Sequence, residues 1–278
     1  MSAFLDEMAA ASRERVRAAA SRRSLAGLES AARATPAPPP LRLDASGFDL
    51  IAELKLRSPA AGALKPANDD VAARVAGYAR AGAAAVSVLT EPSRFDGSLA
   101  HLSAAAQVLT PLGVPAMRKD FLVDPYQVFE ARAAGAGGVL VILRMLPRED
   151  SRALIDCAGA LGLFVLLEAF DARDIALMHE LIAAHRGASA LLAGVNCRDL
   201  ATLEVVPARL LELAPLLPTG VPRVAESGVG TPQDARAVAA AGYSLALVGS
   251  ALMRGDDPQG LAAALLRAGR AARAVHSA

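Results

Sequence analysis

Short β-branched runs alternate with alanine-rich helical stretches from Phe48 to the end of the chain, and this alternation constrains the fold more than any other feature. Strands are predicted over 50–54, 85–89, 115–117, 139–143, 164–168, 191–195, 223–225 and 245–248. Helices are predicted near 69–81, 98–109, 125–134, 148–161, 172–185, 206–214, 232–241 and 258–270. The run Val139-Leu140-Val141-Ile142-Leu143 is apolar at every position, as a parallel strand covered on both faces must be. Strand–helix alternation of this kind builds βαβ units around a parallel sheet.

An internal repeat chooses between closed and open sheets. Ala81-Gly82, Ala134-Gly135 and Ala241-Gly242 each place apolar residues four and six positions beyond the glycine: Val86 and Val88, Val139 and Val141, Ala246 and Val248. Each glycine suits the left-handed residue that ends a helix before the chain turns into a strand. A repeat spanning whole βα pairs fits an eight-fold closed barrel better than the runner-up, an open doubly wound sheet. The chain has 278 residues, and a (β/α)8 barrel of about 250 residues accounts for nearly all of them. The predicted fold is therefore an α/β barrel of the TIM type, residues 47–278, preceded by an arm of residues 1–46.

The arm reads as two helices and a strap. Residues 4–20 have helical spacing, with Leu5, Met8, Ala9 and Val16 near one face. A second helix near 24–34 runs into Ala-Thr-Pro-Ala-Pro-Pro-Pro, which no helix can traverse. The competing reading is a flexible extension with no role.

Hydrophobic residues are 54% of the chain and the net charge is +1. That balance offers no global electrostatic argument for a nucleic acid or anionic membrane partner. Two cysteines, Cys157 and Cys197, form neither a disulfide framework nor a metal-ligand pattern and read as reduced thiols. The first residues lack a secretory signal, and no uncharged stretch reaches the ~18 residues of a membrane span. A cytoplasmic chain without metal or organic cofactor is the expectation, as a monomer or weak homodimer.

In a barrel of this kind, chemistry sits at the C-terminal ends of the strands. Polar residues cluster there: Glu53, Lys55 and Ser58 after the first strand, Arg118-Lys119-Asp120-Phe121 after the third, and Glu168 on the fifth. Asn196-Cys197-Arg198-Asp199 ends the sixth, Glu226-Ser227-Gly228 the seventh and Gly249-Ser250 the eighth. Glu53 and Lys55, two apart, share a strand face. Inward charges are costly unless paired or used, so Glu53, Lys55, Lys119, Glu168 and Glu226 either converge on a pocket or form a structural ion-pair network. Ser227-Gly228 and Gly249-Ser250 stand where barrels hold a phosphate on backbone N–H groups, plain tight turns being the alternative. Together these residues point to a small phosphorylated molecule undergoing proton transfer.

With these residues in place, the sequence resembles the indole-3-glycerol-phosphate synthase family. The resemblance is carried by Ile51-Ala52-Glu53-Leu54-Lys55 with Ser58-Pro59, and by Val86–Glu91 with Phe95-Asp96-Gly97-Ser98. Arg118-Lys119-Asp120-Phe121 with Asp124–Gln127, Leu167-Glu168, Gly194–Leu200, Ala225–Gly228 and Leu247–Met253 complete it. The arm resembles the family's helical extension, which lies over the catalytic mouth.

The resemblance implies ring closure, decarboxylation and dehydration of 1-(2-carboxyphenylamino)-1-deoxyribulose 5-phosphate. It implies Lys119 as the acid toward the ketone, its pKa lowered among cations and apolar walls, and Lys55 on the substrate carboxylate. Glu168 would be the second proton-transfer group, with Glu53 and Asn196 orienting the intermediate and Glu226 positioning the sugar hydroxyls or amine. Phosphate would lie at Gly228, Gly249 and Ser250 near Ser58 and Ser227. Phe95 and Phe121 would flank the aromatic ring, Leu247 would line the pocket and Arg198 frame it. Taken alone, without the resemblance, each phenylalanine reads as ordinary core packing. The chain departs from the family at Ala60-Ala61-Gly62, at Ala169-Phe170 after Glu168, at Cys197, and in a strap without phenylalanine. A sugar-phosphate isomerase barrel and a catalytically weak metabolite-binding paralogue are the alternatives.

Overall fold

A computed structural model describes residues 3–60, 62–64 and 70–276. Eight parallel strands form the barrel: β1 (Asp49–Leu54), β2 (Ala85–Leu89), β3 (Ala116–Lys119), β4 (Gly138–Ile142), β5 (Phe164–Ala169), β6 (Leu191–Asn196), β7 (Arg223–Glu226) and β8 (Leu245–Val248). They close in the order β1-β8-β7-β6-β5-β4-β3-β2, with β2 pairing back onto β1. All positions of β1, β2, β4, β5, β6 and β8 are buried, as helices outside and side chains inside require. The open doubly wound sheet is thereby excluded.

The three repeat glycines adopt left-handed backbone, Gly82 at φ 96°, Gly135 at 90° and Gly242 at 99°, each just past a helix. Boundaries shift where local chemistry intervenes. Pro115 cannot donate to a ladder, so β3 starts at Ala116, although the Pro115 carbonyl accepts from Val86 N. Leu143 leaves the predicted fourth strand for a single 3-10 turn, Leu143–Met145. The helix predicted over 206–214 is Ala208–Leu213, entered through Pro207. The helix predicted to start at 69 is Val71–Arg80, residue 69 lying outside the described residues. A small hairpin, Arg57–Ser58 with Gly62–Ala63, and a one-turn helix, Pro92–Phe95, decorate the β1 and β2 ends without having been foreseen.

The arm is docked. Helix α1 (Ala3–Arg22) buries Leu5, Met8, Ala9 and Ser12, one stripe at helical spacing. The Ser12 hydroxyl donates to the Phe121 carbonyl at 2.5 Å and accepts from Gln127 Nε2 at 2.9 Å. Arg15 reaches Asp120 at 2.7 Å and Glu91 at 3.4 Å. Helix α2 (Leu25–Ala34) is capped by Ser24 and lies against the helix Pro125–Ala133, where Arg132 donates to the Thr35 carbonyl at 2.7 Å. The strap then carries no regular structure over 36–44. It passes Gly137, where an added Cβ would stand 3.3 Å from both Pro38 and Pro39. The arm thus runs from the mouth down one flank to the opposite end of the barrel before entering β1. Among the described residues no helix is long and apolar enough to cross a membrane.

Candidate active site

Period-two alternation aims Glu53, Lys119, Glu168, Asn196 and Glu226 into the barrel, and the ladder sets their heights. Asn196 is level with Glu226, and Glu226 with Leu247. These side chains open onto a cavity of about 500 Å³ at the C-terminal ends of the strands. All fifteen residues given a catalytic or binding role line it: the five charged groups Glu53, Lys55, Lys119, Glu168 and Glu226; Ser58, Phe95, Phe121, Asn196 and Arg198; and Ser227, Gly228, Leu247, Gly249 and Ser250. Arg118, Cys197 and Asp199 at the same strand ends do not.

At its floor lies a connected polar set. Lys119 Nζ stands 3.3 Å from Glu168 Oε2 and 3.4 Å from Glu226 Oε2. Asn196 Nδ2 donates to Glu168 Oε1 at 2.6 Å, while its own Oδ1 accepts from Ser227 Oγ at 2.9 Å and Arg198 N at 3.0 Å. Those two bonds fix the amide orientation and therefore the carboxylate. Lys55 pairs with Glu53 at 2.5 Å. Gly249 makes room for this pair, because a Cβ there would come within 2.1 Å of Glu53 Oε1.

The surroundings of Lys119 correct one expectation. Burial disfavours its charge, but Glu168, Glu226 and Glu53 outweigh burial and hold its pKa above the ordinary lysine range. The sequence reading placed Lys119 among cations and lowered it; the fold encloses it with carboxylates contributed by three other strands. The burden falls instead on Glu226, which burial and the neighbouring Glu168 push up to about 8 against the pull of Lys119. Glu226 Oε1 has no hydrogen-bond partner among the described residues, and it fills the space left by the missing side chain of Gly194.

The two ends of the cavity differ. Toward β7 and β8, Ser227 and Gly228 are consecutive left-handed residues, at φ 66° and 72°. The helix Ser250–Arg254 begins there without a side-chain cap, leaving its first N–H groups to the cavity. Toward β2 and β3, Phe95 and Phe121 pack with ring centroids 6.1 Å apart. Phe4 of α1 adds a third ring, edge-on to Phe121 at 5.8 Å.

Phe4 and Leu5 are lining residues that sequence reasoning missed, since an arm helix shows its buried stripe but not what covers it. Phe170 and Ile142 were missed for a similar reason: apolar residues near strand ends look like core. Leu203 sits at φ 63° in a loop whose carbonyl Arg198 holds at 2.7 Å, so Arg198 shapes the rim as well as lining it. Both cysteines are free, and burial pushes the Cys197 thiol up to about 11.

A family model described as "Indole-3-glycerol phosphate synthase" matches residues 5–265. Among curated relatives, the indole-3-glycerol phosphate synthase of Parafrankia sp. is 44% identical over 227 residues, 82% of this chain and 81% of its own. That of Kineococcus radiotolerans is 45% identical, covering 80% and 77%, and that of Mycobacterium ulcerans 41% identical, covering 90% of each chain. Among solved structures, 3-hexulose-6-phosphate synthase from Salmonella typhimurium superposes with TM-score 0.60 at 16% identity, over 80% of this chain and 98% of that one. At that identity it speaks for the fold alone.

Proposed function

The chain belongs to the indole-3-glycerol phosphate synthase family, carboxy-lyases of tryptophan biosynthesis acting on a small phosphorylated substrate, and on that premise we propose how its mouth carries the reaction. The phosphate of 1-(2-carboxyphenylamino)-1-deoxyribulose 5-phosphate binds backbone N–H groups at Gly228, Gly249 and Ser250, with Ser58 and Ser227 beside them. The sugar chain crosses the polar floor, where Glu226 meets its hydroxyls or the amine. The aromatic ring lies against Phe95 and Phe121, covered by Phe4.

The observation that carries this reading is the Lys119–Glu168 contact, 3.3 Å, between the phosphate end and the ring end. Ring closure turns the ketone oxygen into an alkoxide, far more basic than an amine, so a lysine held fully protonated delivers its proton as that charge develops. Lys55 holds the carboxylate until it leaves as CO2. Dehydration then expels the former ketone oxygen as water, which requires one proton delivered to the hydroxyl and another removed from the ring system. Glu168, oriented by Asn196, is the second proton-transfer group, and Glu53 orients the intermediate through Lys55.

Residues 1–46 and 47–278 act as one unit in this reading, since the arm supplies part of the cavity wall. The chain works in the cytoplasm as a monomer or weak homodimer, without nucleic acid or membrane partners. The test is turnover of the anilino-deoxyribulose phosphate followed by indole fluorescence. Wild type forms product; Lys119→Met loses at least about a thousandfold in kcat with its circular dichroism intact. A metabolite-binding paralogue would give no product with either, and full activity in the variant would remove Lys119 from the role of acid.

A further inference from the structure

Phe170 follows Glu168 by two residues at the end of β5, lines the same cavity and is 3% exposed. Its outer surroundings are unusually determined. The Arg144 guanidinium carbon lies 4.7 Å from the ring centroid, a cation–π distance. Arg144 is itself held, with Nε donating to Asp174 at 2.8 Å and a terminal nitrogen pairing with Asp171 at 2.5 Å. Asp174 also accepts the Phe170 backbone N–H at 2.8 Å. One carboxylate therefore fixes both the guanidinium and the backbone of the ring it covers.

The barrel order says which part of a ligand this ring meets. The glycine-lined end lies at β7 and β8; β3 and β4 stand across from it, flanked by β2 on one side and β5 on the other. A phosphate anchored at the glycines directs the far end of the substrate toward β3 and β4. Lys55, on the β1 side, draws the ring carboxylate toward β1 and β2. The ring edge turned away from the carboxylate then faces Ile142 and Phe170.

We propose that Phe170 is a specificity-determining residue that bars substituents on that edge of the aromatic ring, and that Arg144 is the positioning residue that keeps its ring in place. The proposal rests on the reading of the mouth given above and adds the limit it sets on substrate size. In a hydrophobic pocket, one methyl group changes kcat/KM by about tenfold or more, so the effect is measurable.

The experiment compares kcat/KM for the unsubstituted substrate with that for its monomethyl analogues at each open ring position. Wild type discriminates against a methyl on the edge away from the carboxylate by about tenfold or more. Phe170→Val collapses that ratio at least fivefold at one or more of those positions, while raising KM rather than lowering kcat on the unsubstituted substrate. Phe170→Leu, which keeps most of the volume, moves the ratio in the same direction by less and serves if the valine variant folds poorly. Arg144→Met relaxes the ratio in the wild-type background but not in Phe170→Val, as coupling through one ring demands. A ratio unchanged within about twofold in both Phe170 variants overturns the proposal. An equal effect of Arg144→Met in both backgrounds overturns the role given to Arg144. Absence of turnover of the unsubstituted substrate by wild type instead overturns the reading of the mouth itself.

Discussion

Gly249 and Glu226 show how single positions set the site. Gly249 has an ordinary negative φ, −120°, so its requirement is spatial: the Glu53 carboxylate occupies the place of a side chain. Gly249→Ala should displace Glu53 from Lys55 and lower kcat/KM at least tenfold while leaving the melting temperature within a few degrees. Steady-state kinetics alongside calorimetry check this. Glu226 predicts a pH effect on stability. Its folded pKa is raised from 4.5 to about 8, so between those values the unfolded chain has released a proton that the folded chain keeps. Stability from this group falls as pH climbs through that window and is flat above it. Glu226→Gln removes the effect, so its melting temperature relative to wild type should be more favourable at pH 9 than at pH 5. Lys119, whose folded pKa is also raised, gives a slope of the same sign at higher pH, its stabilisation being complete below the ordinary lysine pKa and lost only above it. The residue types of the site were readable because inward charges at strand ends have few explanations. Their protonation was not, because the carboxylates that raise Lys119 stand on β1, β5 and β7, far from it in sequence.

Among the elements, the arm carries a prediction of its own. Arg15 bridges α1 to Asp120, the residue after Lys119, and to Glu91. Burial alone would raise the Asp120 carboxyl, yet Arg118, Arg15, the Thr90 hydroxyl and the Phe121 N–H hold it below the usual carboxylate range. Arg15→Met leaves Asp120 its other partners, so the stability lost should be about 1 kcal/mol. Because Phe4 and Leu5 line the cavity from the same helix, KM should rise severalfold with kcat little changed. Urea denaturation and steady-state kinetics separate the two. The helical spacing of Leu5, Met8 and Ala9 announced an element with a partner, and the proline cluster announced where it ends. Neither specified the partner, since Ser12 finds the Phe121 carbonyl and Gln127 only after β3 and its following helix are built. The Arg57–Ser58 hairpin was illegible for a related reason: two-residue strands carry no period to read.

At the scale of the molecule, closure joins chain ends that are remote in sequence. β8 pairs with β1, and the last helix, Pro258–His276, sends Arg270 to the Phe48 carbonyl and to Asp49 at 3.0 Å each. Asp49 is buried, and burial raises its carboxyl pKa despite Asp44 N–H and Arg270. Arg270→Met should cost about 2 kcal/mol. It raises Asp49 further, so the folded state keeps a proton that the unfolded chain loses near pH 4, and the loss should be larger at pH 8 than at pH 4. Denaturant midpoints at both pH values check it. By itself the sequence determined the eightfold βα order, the left-handed glycines at 82, 135 and 242, and the identities of the groups at the strand ends. These are local consequences of backbone sterics, hydrophobic period and the cost of burying charge. Only the tertiary structure decided that Lys119 is enclosed by three carboxylates, that α1 supplies a wall of the cavity, and that Arg144 stacks on Phe170. Those are distances between residues on different strands and helices, and no periodicity encodes a distance until the barrel has closed.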